Sequence, residues 1–261
     1  MVVRAELMTA TEIAAARDES SIAFVPFGPL EWHGPHLPYG TDALHAHAVS
    51  LRVAAEVGGV VLPPFFLGAD SLRPPGYVVE GVAALGFADD ERIMGMDFPA
   101  HPLRSLYVDE GVLGLVAREL VRGLKANDFR LVVITNGHGA PSQARTLARV
   151  AEEETDTSAT VSFQSVWLPL ETGGPGHADR LEAEAVLAID PDWVRLDALP
   201  ATGPLPYTEY GIVDGEAFEG RPTPDFTVAP SADPRSSSRE DGLRGLDAEV
   251  ARLVEIVRAL A

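Results

Sequence analysis

Residues 21–42 read SIAFVPFGPLEWHGPHLPYGTD, and this stretch decides how the rest of the chain is interpreted. Its first part, residues 21–27, is a short apolar run that predicts a buried strand. The remainder is a loop punctuated by Pro and Gly. That loop contains four side chains of a metal-binding type: Glu31, His33, His36 and Asp42. A loop needs turn-forming residues but has no structural need for such a cluster, which therefore indicates a functional site.

Strand patterns alternate with helix patterns along the whole chain. A Thr9–Glu12 capping box predicts an N-terminal helix, and Thr41 and Asp42 are predicted to cap a second helix that runs to about Glu56. Further strands are predicted at residues 59–65, 129–135 and 159–167, and further helices at 108–125, 140–154, 179–188 and 240–260. The alternation predicts an α/β fold, a single three-layer domain over residues 1–261 with a mostly parallel sheet and helices on both faces.

Two histidine-bearing loops follow predicted strands of this sheet. In such folds, functional sites form beyond the carboxyl ends of the strands. Glu31 and His33 lie two positions apart in an extended segment, so their side chains share one side, and the following Gly and Pro turns allow Asp42 to approach. His138 lies in the Gly-flanked turn NGHG, where backbone can come close to a ligand. We therefore predict a metal centre formed by Glu31, His33, Asp42 and His138.

The side chains of this centre limit the choice of metal and suggest its chemistry. The chain has no cysteine, so thiolate ligands are excluded. Carboxylates and imidazoles together suit Zn, Mn or Fe. An aspartate can bridge two cations, and a two-metal centre activates water and polarises a carbonyl group. We expect one or two divalent cations.

For three further histidines, the sequence gives weaker evidence of a role in the site. His45 and His47 lie in the predicted second helix. For His45 a helix-surface or interface position is expected, although it follows Asp42 by three residues and could face the site. His101 lies in a long irregular loop, residues 67–104, and its pattern leaves a substrate-pocket role and an incidental position open.

Composition excludes some partners. The 39 acidic residues against 20 basic ones give a formal net charge of −19. Such a charge repels nucleic acid phosphates and anionic membrane surfaces. No apolar run approaches the roughly 18 residues of a membrane-spanning helix, and the N-terminus has no apolar leader pattern. The expected partner is a small-molecule substrate, and the expected location is the cytoplasm.

At this point the motifs resemble those of a known family. Residues 27–42 resemble the signature of the creatininase (creatinine amidohydrolase) family: a Gly, a short gap, Glu-Gln-His-Gly-Pro-His-Leu-Pro, then Thr-Asp. NGHG at residues 136–139 resembles the family's second motif, and the stretch from His177 to Glu182 resembles its third, His-Ala-Gly-x-x-Glu-Thr-Ser. The motifs keep their order over most of the chain.

The resemblance implies a role for each matching residue. The family's metal ligands correspond to Glu31, His33, His138 and Asp42, with Asp42 as the bridge. Glu182 matches the acidic residue of the third motif, at or beside the metals, and Glu184 competes with it for that place. His177 matches a histidine that moves a proton to the leaving nitrogen. The resemblance also implies metal-dependent hydrolysis of a C–N bond in a small molecule and assembly as a homohexamer.

The chain also departs from creatininase itself. Ala140 stands where creatininase has a metal-binding carboxylate two residues after the ligand histidine, and Gly176 stands where an acidic residue precedes the proton-moving histidine. Creatinine is therefore not the expected substrate. Two alternatives stay open: isomerase or lyase chemistry at the same metals, and a non-catalytic protein that retains a metal site.

Overall fold

A computed structural model describes residues 3–70, 103–168, 176–203, 205, 207–208, 211–212 and 231–261. Helices and strands alternate over these residues, as the sequence predicts. In chain order they are α1 (Ala10–Ser20), β1 (Ile22–Gly28), α2 (Thr41–Val57), β2 (Val60–Val61), β3 (Phe65–Phe66), α3 (Glu110–Ala126), β4 (Leu131–Asn136), α4 (Pro141–Glu154), β5 (Thr160–Ser165), α5 (Arg180–Ile189), β6 (Tyr207–Thr208), β7 (Gly211–Ile212) and α6 (Arg239–Leu260).

The central sheet is parallel. Its strand order is β2-β1-β4-β5, and β3 also pairs with β1. In the register of β1 and β4, Phe27 lies opposite Asn136, so the two strands end side by side. The short strands β6 and β7 form a separate antiparallel pair. The predicted mostly parallel sheet is confirmed.

Helices cover both faces of this sheet. Successive residues of β1 point to opposite faces: Phe24 joins a buried cluster with Leu253 of α6, and Val25 joins a second cluster with Leu147 of α4. The first cluster contains residues of α2 and α6, and the second contains residues of α3 and α4. This arrangement confirms the predicted three-layer architecture. That the domain extends over residues 1–261 stays a prediction.

The starts of the first two helices differ in how they are capped. In α1 the capping box is confirmed, because the Thr9 side chain accepts a hydrogen bond from Glu12 and the Glu12 carboxylate accepts one from the Thr9 backbone. The predicted cap of α2 by Thr41 and Asp42 is wrong. The capping position is Gly40, which makes no side-chain cap bond, while the Thr41 hydroxyl donates to the Pro38 carbonyl.

One predicted strand is broken. Residues 59–65 form β2 and then β3, separated by Pro63 and Pro64. Proline has no N–H to donate to a neighbouring strand, so the ladder stops there. Most of the predicted loop at 67–104 lies outside the described residues, namely residues 71–102, which include His101. Among the described helices, none combines the length and apolarity needed to cross a bilayer.

Candidate metal centre

The centre lies where β1 and β4 end. The two strands are parallel neighbours, so the loops that follow them leave from the same edge of the sheet. The first loop contains Glu31 and His33 and leads into α2, whose first turn contains Asp42. The second loop contains His138 and leads into α4. The fold therefore brings together the four side chains that the sequence predicts as metal ligands.

Two glycines allow these loops to meet. A Cβ atom at Gly28 would lie 2.4 Å from the Ala43 nitrogen, and one at Gly137 would lie 2.0 Å from the Asp42 carbonyl oxygen. Real Cβ atoms are not found so close to backbone. The backbone of Asp42 therefore lies between the ends of β1 and β4 only because both flanking positions lack a side chain.

Glu31, Asp42 and His138 form the first ligand group. The Nδ1 atom of His138 lies 3.0 Å from Oε2 of Glu31 and 2.7 Å from Oδ2 of Asp42. Both carboxylates are buried, and within the described part of the chain neither of these oxygens has a hydrogen-bond partner of standard geometry. Buried carboxylate oxygens without such partners are costly. These atoms are therefore suited to bind a cation.

His33, Asp42 and Glu182 form the second ligand group. The Nε2 atom of His33 lies 3.0 Å from Oδ1 of Asp42 and 3.7 Å from Oε2 of Glu182. The other ring nitrogen of His33 lies 3.0 Å from the Glu31 carbonyl oxygen, which fixes the ring and leaves Nε2 as the ligand atom. Asp42 thus presents one oxygen to each group, as a bridging carboxylate must.

The turn that contains His138 is held by amide side chains. Asn136 donates to the His138 carbonyl oxygen at 2.7 Å and accepts from Gln143 at 2.7 Å. Gln143 also accepts from the Ala69 backbone N–H at 2.8 Å. This network joins the end of β4, the start of α4 and the segment before residue 70. It fixes the position of the His138 backbone.

His177 lies beside both groups. Its Nε2 atom donates to the Trp32 carbonyl oxygen, and its ring centroid is 4.5 Å from that of His33. With Glu31 and His33 it also forms a third set of closely spaced ligand-type atoms. Burial lowers the pKa of His177 to about 4. The imidazole is therefore neutral near pH 7 and can accept a proton.

Burial and neighbouring charges shift the pKa values of the other residues in the centre. Burial alone lowers the pKa of His33, but Asp42 and Glu182 raise it to about 10. Burial raises the pKa of Asp42, but His33 and His138 hold it well below its usual range. Burial raises the pKa of Glu182 to about 8. Without a cation, the positive charge of the protonated imidazoles compensates the negative charge of the carboxylates. A bound cation would replace those protons.

Two residues of the predicted loop and helix lie apart from the ligand groups. His36 is fully buried behind Gly34 and belongs to none of the groups, and burial lowers its pKa to about 4. The surface or interface position expected for His45 is wrong. Its ring is buried against Trp167, and its Nε2 atom lies 2.8 Å from Oε2 of Glu249.

The structure also shows where His47 and the two candidate glutamates of the third motif, Glu182 and Glu184, lie. His47 is buried on α2, outside the ligand groups. Glu184 accepts from the Arg180 guanidinium at 2.6 Å, whereas Glu182 lies in the second ligand group and accepts from the Ala178 N–H at 2.5 Å. The geometry thus favours Glu182 over Glu184 as the third-motif carboxylate.

Two polar residues near the centre are not predicted from the sequence. Tyr107 donates a hydrogen bond to Oε1 of Glu31 at 2.5 Å. Burial, together with the charges of Glu31 and Asp42, raises the pKa of Asp70 to about 7, and the charge of His138 opposes this shift. Neither residue stands in a motif, so only the tertiary structure reveals them.

The family model for creatininase (creatinine amidohydrolase) matches residues 6–79 and 100–257. The chain belongs to the creatininase family. The mycofactocin precursor peptide peptidase of Mycobacterium ulcerans is 29% identical over 210 residues, which are 79% of this chain and 73% of that protein. The creatinine amidohydrolase of Pseudomonas putida is 26% identical over 257 residues, which are 91% and 88% of the two chains.

Solved creatininase structures share the fold. A manganese creatininase matches with a TM-score of 0.68 at 22% identity, over 99% of this chain and 98% of that one. A mutant creatininase of the Zn–Zn type matches with a TM-score of 0.67 at 22% identity, over 99% and 98%. The three-layer fold of the creatininase family is therefore shared along nearly the whole length of these chains.

Proposed function

We propose that the chain is a metal-dependent hydrolase that cleaves a C–N bond in a small amide, such as a cyclic amide or a formamide. The observation that carries the proposal is the bridging position of Asp42, with one oxygen in each of two ligand groups. Membership of the creatininase family supports it. So do the names of two relatives, an amidohydrolase and a peptide peptidase.

The ligand groups have the donor chemistry of a two-cation centre. We assign Glu31, Asp42 and His138 to one cation, and His33, Asp42 and Glu182 to the other. Carboxylate and imidazole donors suit Zn, Mn or Fe, and the manganese and Zn–Zn creatininases support the first two. When bound, such cations lower the pKa of water and polarise a substrate carbonyl.

His177 is proposed to move the proton. Its Nε2 atom faces the Trp32 carbonyl, so Nδ1 is the nitrogen available for proton transfer. Since the ring is neutral near pH 7, it takes a proton from the attacking water and then gives it to the leaving nitrogen. The contact with Trp32 fixes the tautomer and orients the ring during both proton transfers.

Creatinine itself is not the expected substrate. Ala140 is buried at the start of α4 and offers no carboxylate, and Gly176 has no side chain to support His177. In this chain Glu182 takes the carboxylate position of the second ligand group. We expect these differences to change the substrate pocket while the ligands are retained. Turnover of creatinine at a rate typical of a creatininase would contradict this view.

The experiment that tests the proposed function is hydrolysis in isotopically labelled water. The purified chain is loaded with Mn²⁺ or Zn²⁺ and given cyclic amides, N-formyl compounds and short peptides. Mass spectrometry should find the heavy oxygen in the new carboxylate of one class. Asp42→Asn should abolish this product, and Asp18→Asn, the same change at an exposed position paired with Arg17, should retain it.

Other outcomes point to the alternatives. A product formed without solvent oxygen would indicate isomerase or lyase chemistry at the same centre. Cations bound without any turnover across the panel would favour a non-catalytic protein with a retained metal site. A chain that binds no cation would exclude the proposal outright.

We also infer a homo-oligomer, a hexamer by family resemblance, located in the cytoplasm. Several exposed apolar side chains support an oligomer, because their burial between subunits would be favourable. They are Leu103, Leu106, Val112 and Leu115. Light scattering at micromolar concentration should give a mass several times the 27.8 kDa of one chain. A mass of one chain would contradict the inference.

A further inference from the structure

Tyr107 lies in a segment that runs beside the loop after β1. The Leu106 N–H donates to the Leu30 carbonyl oxygen at 2.8 Å, and the Trp32 N–H donates to the Ser105 hydroxyl at 3.1 Å. Leu30 and Leu106 also form an isolated antiparallel bridge. These contacts hold the Tyr107 side chain against the loop that carries the first metal ligands.

The hydroxyl of Tyr107 forms a hydrogen bond with one oxygen of Glu31. It donates to Oε1 at 2.5 Å, a length typical of a hydrogen bond to a charged carboxylate. The other oxygen, Oε2, lies 3.0 Å from Nδ1 of His138 and makes no hydrogen bond of standard geometry with any described residue. The two oxygens of this carboxylate therefore have different surroundings.

We propose that Tyr107 is a positioning residue that leaves Oε2 of Glu31 as the single oxygen available to the first cation. A free carboxylate can rotate and can bind a cation through one or both oxygens. A hydroxyl that holds Oε1 removes that freedom and fixes the direction of Oε2. The tyrosine ring also lies 6.2 Å from the His138 ring, so it borders the same ligand group.

The inference, which rests on the proposed metal-dependent function, predicts that the two cations respond differently. Under the proposed assignment, Glu31 binds the cation that it shares with Asp42 and His138, whereas the other cation is held by His33, Asp42 and Glu182. Loss of the Tyr107 hydroxyl should therefore weaken the binding of one cation and spare the other. A tyrosine that merely supported the fold would affect both cations alike.

The test is a titration of Mn²⁺ into Tyr107→Phe, with stepwise affinities measured by calorimetry or by competition with a chelator. One binding step should weaken by about 10- to 100-fold, as is typical when a hydrogen-bond partner of a metal ligand is removed. The other step should stay within error of the unmodified chain. Tyr39→Phe is the matched control, because the Tyr39 hydroxyl donates to the Leu103 carbonyl and not to a ligand.

Three results separate failure of this inference from failure of the proposed function. If the unmodified chain binds two cations and Tyr107→Phe binds both as tightly, the positioning role is wrong. If Tyr107→Phe weakens both steps equally, or lowers the melting temperature of the metal-free chain well below that of Tyr39→Phe, the residue is structural and the inference is also overturned. If the unmodified chain binds no Mn²⁺ or Zn²⁺, the proposed function itself fails.

Discussion

The Nδ1 atom of His138 lies 2.7 Å from Oδ2 of Asp42, and that oxygen makes no hydrogen bond of standard geometry with any described residue. The two residues belong to different loops that meet only because β1 and β4 are neighbours. A close pair of ligand-type atoms on two buried side chains is suited to hold a cation. The predictions below test the consequences.

Asp42→Asn should reduce the bound metal more than any other single change. Asparagine keeps the shape of the side chain but removes the charge that both ligand groups share. Elemental analysis after dialysis should fall from about two cations per chain to below one. Asp18→Asn, at an exposed surface position, should leave the metal content unchanged. Retention of two cations by Asp42→Asn would exclude a bridging role.

Glu182→Gln and Glu184→Gln should differ in metal binding. Glu182 lies in the second ligand group, so its loss should weaken one cation and leave the other bound. Glu184 instead pairs with Arg180, so its loss should leave both cations in place. Metal affinities of the two variants, measured side by side, decide between them. Equal effects would show that neither is a specific ligand.

His177→Ala should lower the rate and keep the metals. A residue that transfers a proton in the transition state contributes about 10²- to 10⁴-fold to kcat, so a loss of that size is expected on a true substrate. Because His177 also lies within reach of a ligand group with Glu31 and His33, metal content must be measured in the same samples. Loss of a cation would make His177 a ligand and not a proton carrier.

The metal-free chain should lose stability as the pH rises above about 6.5. The pKa of His33 rises from 6.5 to about 10, so its stabilising effect is complete below about pH 6.5 and is lost as the pH rises towards 10. The pKa of Glu182 rises from 4.5 to about 8, so its burial becomes more costly over that range. His36 and His177, whose pKa values fall from 6.5 to about 4, lower stability in acid.

The measurement is the melting temperature against pH with a chelator and then with Zn²⁺. The chelated chain should lose stability from about pH 6.5 to 9, because the folded state holds protons that the unfolded state releases. Zn²⁺ should reduce this alkaline loss, since the cation takes the place of those protons. A melting temperature that rises from pH 6.5 to 9 in chelator would contradict the shifts at His33 and Glu182.

The sequence predicted the parts of the molecule that depend on local patterns. The apolar runs of β1 and β4 and the turn residues after them are short-range signals, and the rule for parallel sheets places their ends together. That is why the sequence alone predicts that Glu31, His33, Asp42 and His138 lie together.

The errors arise from contacts between distant parts of the chain. His45 was expected at a surface or interface, but its partner Glu249 lies on the C-terminal helix, which no local pattern connects to α2. Tyr107 and Asp70 lack any motif and reach the centre through segments whose course depends on tertiary packing. The cap of α2 failed for another reason: the helix begins directly after Gly40, which occupies the capping position, so Thr41 and Asp42 lie in its first turn.

The glycines that flank Asp42 have a kinetic consequence. The backbone of Asp42 is packed directly against Gly28 and Gly137, so this part of the loop would not have to move when an ion binds. Under the proposed function, capture of a cation would then be limited by the release of water from the ion and of protons from the imidazoles. The uptake rate of different divalent ions should therefore follow how fast each exchanges its own hydration water, and stopped-flow mixing can rank them.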